Sequence, residues 1–338
     1  MIPVLTTMNA VDLAQDDIRI GFIGTYGNRV ANMILDECDL VISVGARLGL
    51  RQIGHIRENF APKAKLIRVD VDANELSRVV KDDEKDYLMD AAEFMHALIS
   101  EDIPQYREWH ERCHEAKHLL EAYDNVLGNE VIEKISSLLI PNPVVAVDVG
   151  QNQCWAAQSL HLKGENGRIL IGGGYGSMGC GLPYAIGASI SNGNGIVYCL
   201  TGDGGLQMNI QELETIVRER LPIKIIVLNN RALGKITEIQ TCSYGHRYAQ
   251  TTAASGYSVP DFEKIAMAYG IKAVTIENYQ SLDDLASWMT DNDPCLINIL
   301  MPEDTLLIPK IKWETGKITP ALSDDLMRKI TQLLETEL

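Results

Sequence analysis

Residues 202–230 read GDGGLQMNIQELETIVRERLPIKIIVLNN, and the order of their parts decides the fold. The apolar run IVYCLT (196–201) leads straight into Gly202-Asp203-Gly204, and a second run, IKIIVL (223–228), ends in Asn229-Asn230. Short apolar runs bounded by turn residues read as strands buried on both faces. A helical stretch between them makes a βαβ unit, whose two strands are parallel and end on the same side. Adjacent strands then place Asp203 and Asn230 side by side. One carboxylate and one amide oxygen suit Mg2+, which takes six oxygens and shares them with phosphates. The amides of Gly204 and Gly205, opening a helix expected near Leu206, make a seat for a diphosphate. Simple helix capping by Asp and Asn is the alternative. The combination of residues, spacing and strand context argues against it.

The same grammar runs outward along the chain. Apolar runs at 40–44, 65–69, 144–147, 168–171, 272–276 and 296–300 alternate with helical patterns. The expected class is α/β, with two doubly wound parallel-sheet domains. Residues 1–103 form the first domain and 126–338 the second. Between them, Tyr106, Trp109, Cys113, Ala116, Leu120 and Tyr123 fall at 3-4-3-4-3 spacing, one apolar stripe of a helix linking the domains over 104–125.

Composition narrows the function classes. The 338 residues are 46% hydrophobic and 22% charged, ordinary for a globular protein with a real core. A formal net charge of -16 argues against a nucleic-acid surface. No apolar stretch reaches the length of a membrane span, and no signal-peptide pattern opens the chain. The seven cysteines are scattered without CxxC pairing, so reduced thiols in a cytoplasmic protein are expected.

Two formal motifs carry less. His114-Glu115-Ala116-Lys117-His118 matches HExxH, but the third zinc ligand has no candidate downstream, and solvated histidines explain it. Gly174-Tyr175-Gly176-Ser177-Met178-Gly179 matches GxGxxG, yet the acid expected about 20 residues on is Asp203, already claimed by the metal motif. A nicotinamide-dependent oxidoreductase is therefore a remote alternative. Arg47, Arg51, His55 and Arg57 form a basic cluster after the run ending at Val44, either a carboxylate clamp or a solvated face.

With these segments in hand, the chain resembles the acetolactate synthase (acetohydroxyacid synthase large subunit) branch of the thiamine-diphosphate enzymes. DVGQNQCWAAQ (148–158), GGGYGSMGCGLPYAIGA (172–188) and NNRALGKI (229–236) match the cofactor domain, and the second of these accounts for the GxGxxG. The resemblance implies Mg2+ ligation by Asp203, Asn230 and the Ala232 carbonyl. It places Gly204, Gly205, Leu233 and Gly234 along the diphosphate, with Gln151 and Asn152 opposite, and Gly150, Ser177 and Gly202 in the same cofactor-binding segments. Gly176 would receive the aminopyrimidine through its backbone, and Met178 would prop the cofactor in a V. VGARLGLRQIG (44–54), KLIRVDVDANEL (65–76) and GFIGTYGN (21–28) are similar to the family's central, Rossmann-like domain. There Arg51 falls where the second substrate's carboxylate is met. FAD remains an optional cofactor with no contact residue assigned.

The family's pattern also sets expectations by departure. Its pyrimidine-binding domain, with the activating glutamate, has no counterpart here. IPVLTT (2–7) resembles the central domain's second strand, leaving an apolar strand with an open edge. A C-terminal portion of a longer polypeptide is therefore expected, incomplete for catalysis alone. The missing domain would come from an N-terminal region or another subunit, in a homodimer or tetramer. Lys235 and Ile239 stand where acetolactate synthases carry Met and Trp, and Asn152 where they often carry His. The expected reaction is decarboxylation of a 2-oxo acid with carboligation. A simple decarboxylase and a non-catalytic cofactor-binding fragment stay open.

Overall fold

The computed structural model describes residues 2–15, 17–101, 103–104, 106–313 and 315–335. The chain folds as two compact units, Met1–Asn125 with Ile308–Leu338, and Val126–Leu307.

The first unit carries two parallel sheets. One pairs β1 (Val4–Thr6) with β2 (Arg19–Phe22); the other runs β3 (Leu40–Val44), β4 (Lys65–Asp70), β5 (Lys85–Leu88). Among the described residues β1 pairs only with β2, and β3 only with β4, so each has one edge without a strand partner. The helix Arg107–Asp124 is a core element of this unit. Its stripe Cys113, Ala116 and Leu120 packs against Ile20, Val30 and Ile34, and against Leu322, Ile330 and Leu334 from the chain's end. Tyr106 and Tyr123, at the two ends of the expected stripe, are exposed. Gln105, within the expected linker span, lies outside the described residues.

The boundary expected at 126–338 thus differs from the fold. After Leu307 the chain rejoins the first unit, because the apolar face of Arg107–Asp124 needs the helix Asp324–Leu334 to cover it. Polar contacts fix this return. Arg29, almost fully buried, donates to both carboxylate oxygens of Asp124 at 2.7–3.1 Å and to the Pro320 carbonyl at 2.8 Å. A buried guanidinium is tolerable only with such a fork-matched partner.

The second unit is built on six parallel strands in the order β10-β11-β9-β8-β6-β7, where β6 is Val144–Val147, β7 Arg168–Ile171, β8 Val197–Gly202, β9 Ile223–Asn229, β10 Lys272–Ile276 and β11 Cys295–Leu300. The central strands are largely apolar because helices cover both faces, with Lys224, Asn229 and Asn298 the buried polar exceptions in β9 and β11. Every residue from Ile223 to Asn229 is buried. After β6 the chain steps outward to β7, then returns to β8 on the other side. The β6–β8 boundary is therefore a topological switch point, where doubly wound sheets open a crevice at the strand C-terminal ends.

Candidate functional site

Register places the site. Gly202 pairs with Leu228, so one residue further Asp203 lies level with Asn229. On the other flank β6 pairs with β8 through Val147 and Leu200, which brings Asp148 to the same end. The helix after β8 begins at Asp203 rather than near Leu206, three residues earlier than the glycines suggest.

Asp203 is 2% exposed. Its Oδ1 accepts the Gly204 amide at 2.6 Å and the Tyr257 hydroxyl at 3.1 Å. Its Oδ2 is buried and has no hydrogen-bond partner. Burial pushes the carboxyl up to about 6, against the hydrogen bonds from Gly204 and Tyr257 and the lowering effect of the nearby amides of Arg231 and Ala232. Those last two amides belong to the Asn230 turn, so the carboxylate and that turn are immediate neighbours. A buried carboxylate oxygen with nothing to bind is costly. Its natural complement is a cation.

Asn230 is held by bonds of its own. Its Nδ2 donates to Gln151 Oε1 at 3.0 Å, and its Oδ1 takes the Ala232 amide at 3.2 Å. An amide oxygen has a second lone pair. Arg231 adopts φ 55°, turning the chain sharply after β9. Gln151 Nε2 in turn donates to the Thr305 carbonyl at 3.1 Å. The neighbouring Asn229 does different work. It bonds Asn298 of β11 at 3.0 Å, and Asn298 bonds Thr275 of β10 at 3.3 Å, fastening three strands. The Asn-Asn pair is thus split between sheet and site.

The glycines make a cradle that a side chain would fill. A Cβ on Gly234 would stand 1.9 Å from Gln151 Oε1; one on Gly204 would meet Leu233 at 2.8 Å, with the Met178 methyl and the Tyr257 hydroxyl both at 3.1 Å. Asp203, Gly204, Asn230, Ala232, Leu233, Gly234 and Gln151 are therefore gathered in one place, with Met178 reaching in. Asn152, 3% exposed, spends Nδ2 on the Asp148 and Leu200 carbonyls and closes the ends of β6 and β8. Its Oδ1 faces the open Cα sides of Gly150, at φ 144°, and Gly202. Gly176, at φ 63°, lies in an exposed turn with Ser177; Met178 is 38% exposed and Tyr175 wholly so.

Arg51 is exposed and belongs to the first unit, where its carbonyl accepts the Thr25 amide at 2.8 Å. Lys235 lies beside Glu238 at 3.7 Å, with both side chains largely buried, and Ile239 is exposed on the same helix, Gly234–Ser243. Of the HExxH histidines, His114 lies against the His110 ring at 4.5 Å, while the mostly exposed His118 faces Glu121 at 3.9 Å.

Two residues escaped the sequence reading. Tyr257 arrives from a loop 54 positions beyond Asp203, and no spacing rule links them. Asp148 is 1% exposed and accepts from the amides of Val149 and Gly179 and from the Thr201 hydroxyl. Its position at a strand's C-terminal end was the available signal.

Comparison with known proteins identifies the domains of the chain. A model of the thiamine pyrophosphate enzyme C-terminal TPP binding domain matches residues 148–299, and a model of the thiamine pyrophosphate enzyme central domain matches residues 1–98. The acetolactate synthase large subunit of Pyropia yezoensis is 35% identical over 324 residues, 92% of this chain and 54% of that protein. The probable acetolactate synthase large subunit of Methanocaldococcus jannaschii is 35% identical over 351 residues, 97% of this chain and 58% of that protein. The isozyme 2 large subunit of Escherichia coli is 32% identical over 310 residues, covering 89% and 55%. The chain spans just over half the length of these curated relatives. No helix among the described residues is long and apolar enough to cross a membrane.

Proposed function

The chain belongs to the thiamine pyrophosphate enzymes, carrying their central and cofactor-binding domains, and on that footing we propose that it supplies the Mg2+–diphosphate half of an acetolactate synthase-like active site. The observation that carries this reading is Asp203 Oδ2, a buried carboxylate oxygen without a hydrogen-bond partner beside the Asn230 turn. Asp203 Oδ2, Asn230 Oδ1 and the Ala232 carbonyl would hold Mg2+. This donor set is hard and oxygen-only, as Mg2+ prefers. Gly204, Gly205, Leu233 and Gly234 would line the diphosphate, with Gly150, Gln151, Asn152 and Gly202 closing the other side. Gly176, Ser177 and Met178 would meet the head of the cofactor.

When bound, thiamine diphosphate supplies the nucleophilic carbon and electron sink for decarboxylating a 2-oxo acid and passing on the remaining fragment. The protein's share is position. Gln151 and Tyr257 would orient the two metal-facing side chains, the glycines would let phosphate approach the backbone, and Met178 would give an apolar prop for the cofactor's head. The pyrimidine-binding part would come from a further domain or another subunit, in a homo-oligomer of cytoplasmic location. FAD stays optional.

The acceptor is where a second reading enters. Lys235 is engaged with Glu238, and Ile239 offers an exposed aliphatic surface where acetolactate synthases place Met and Trp. An acceptor other than a second 2-oxo acid, or a proton in a simple decarboxylase, fits that altered wall; Arg51 favours a carboxylate-bearing acceptor. The test is a thermal-shift titration with thiamine diphosphate, with and without Mg2+. A metal-dependent shift that disappears in Asp203→Ala supports the reading. A shift indifferent to metal or to the substitution overturns it.

A further inference from the structure

Asp148 poses a question that cofactor ligation does not answer. It is a carboxylate at 1% exposure, and no cation pairs with it among the described residues. Its oxygens are instead filled by local donors: the Val149 amide at 2.7 Å, the Gly179 amide at 3.0 Å to both oxygens, and the Thr201 hydroxyl at 3.2 Å. Neutral donors of this number keep a buried carboxylate tolerable, and losing one leaves a charge short of partners.

The donors come from separate elements. Val149 continues from β6 toward Gly150 and Gln151, on the diphosphate side. Thr201 is the penultimate residue of β8, two before Asp203. Gly179 ends the exposed turn that carries Gly176 and Met178. Gly179 is held on both sides, since its carbonyl, in the next peptide unit, also accepts from Asn209 Nδ2 at 2.8 Å. The convergence depends on missing side chains. A Cβ on Gly205 would lie 2.6 Å from Asp148 Oδ2, and one on Gly181 would lie 2.8 Å from Asp148 Cβ. Both glycines are bare on the side facing this carboxylate.

We propose that Asp148 is a positioning residue that locks the Gly176–Met178 turn to the ends of β6 and β8, so that the seat for the cofactor's tail and the prop for its head keep one fixed spacing. This rests on the thiamine-diphosphate reading above. The turn is otherwise exposed from Gly173 to Tyr175, with left-handed backbone at Gly176 and Gly179. Its anchorage therefore falls on the backbone of Gly179. Without the latch the tail seat stands, because Asp203, Asn230 and Gln151 are held by their own bonds. The head loses its register.

The test separates head from tail in the full chain. Dissociation constants are measured by calorimetry for thiamine diphosphate and for inorganic diphosphate, each with saturating Mg2+, in wild type, Asp148→Asn and Thr201→Val. Asparagine turns one acceptor into a donor facing N–H and O–H groups. Wild type should bind thiamine diphosphate more tightly than diphosphate. Asp148→Asn should weaken thiamine diphosphate roughly tenfold, the scale of one charged hydrogen bond, while changing diphosphate by less than about threefold. Thr201→Val, which removes one donor at nearly constant volume, should move the same ratio by roughly threefold. It carries the test alone where Asp148→Asn fails to fold. A ratio unchanged in the folded variants, or both ligands weakened together, overturns the latch. A wild type that does not prefer thiamine diphosphate overturns the cofactor reading itself, and the latch with it.

Discussion

Gly234→Ala probes the cradle with a single methyl group. Its Cβ would fall 1.9 Å from Gln151 Oε1, 2.6 Å from Gln151 Cδ and 3.0 Å from Asn230 Nδ2. To reach ordinary contact the glutamine oxygen has to retreat by about 1.5 Å. That motion breaks its bond from Asn230 and drags Nε2 off the Thr305 carbonyl, bonds of 3.0 and 3.1 Å. Two buried hydrogen bonds at about 1 kcal/mol net each give about 2 kcal/mol. Alanine in place of glycine at the first residue of the helix returns at most about 1 kcal/mol. The expected net loss is about 1–2 kcal/mol, or a Tm lower by about 2–8 °C for a unit of this size. Asn230 is freed in the same step, so Mg2+–diphosphate affinity should fall as well. The assay is a double-mutant cycle by urea denaturation, with Gln151→Ala as the second change. Truncating Gln151 removes the obstruction, so Gly234→Ala should cost little in that background, with a coupling of about 1–2 kcal/mol. Strict additivity, or a Gly234→Ala protein as stable and as tight for metal as wild type, refutes the reasoning.

Further outcomes follow from other contacts. Lys224, fully buried at the opposite end of β9, donates to Asp291 at 2.7 Å and to the Asp293 carbonyl at 2.6 Å, while Lys272 also reaches Asp291. Asp291→Asn leaves a buried ammonium without its anion and should cost about 3–5 kcal/mol; Lys224→Met, which leaves Asp291 its second lysine and partial solvent, should cost less. The reverse order in chemical denaturation would contradict this account. Burial works to raise the Asp291 carboxyl, but the hydrogen bonds from Lys224 and Lys272 prevail and hold it at about 2. Because this folded value lies below the unfolded one, the stabilisation is complete above about pH 4 and disappears as pH falls toward 2; a wild-type Tm that is flat from pH 5 to 2.5 while Asp291→Asn shows the same profile would exclude it. Tyr257→Phe removes one of the two donors holding Asp203 Oδ1, and the Mg2+ concentration needed for the thiamine-diphosphate thermal shift should rise by roughly 10–100-fold, with the full shift restored at high Mg2+. An unchanged Mg2+ titration would leave Tyr257 without a role in orienting that carboxylate.

The residues proposed to face the metal stand out in the sequence because their chemistry and their spacing coincide along the chain. Asp203 and Asn230 each end a buried strand, and a βαβ unit brings such ends together without knowledge of anything distant. The six strands of the second unit were legible for the same reason: continuous apolar runs have few other fates. The short strands at Arg19–Phe22 and Lys85–Leu88 were harder. Lys85–Leu88 is exposed at every position, so periodicity leaves no mark. The stripe on Arg107–Asp124 was visible, but a stripe says only that a face is buried, not what covers it. The cover comes from residues more than 200 positions later, and the expected linker became part of a core.

By itself the sequence determined the α/β class, the parallel strands of the cofactor unit and the placing of Asp203 and Asn230 at the ends of neighbouring strands, because each follows from local periodicity and the fixed hand of βαβ units. Tertiary structure alone decided the rest. It returned residues 308–335 to the first unit, left Asp203 Oδ2 buried without a partner, brought Tyr257 onto the other oxygen, and closed Asp148 around the Gly179 amide. These are contacts between residues far apart in sequence, set by which faces had to be covered and which glycines left room. No pattern along the chain encodes such distances; only the packed core does.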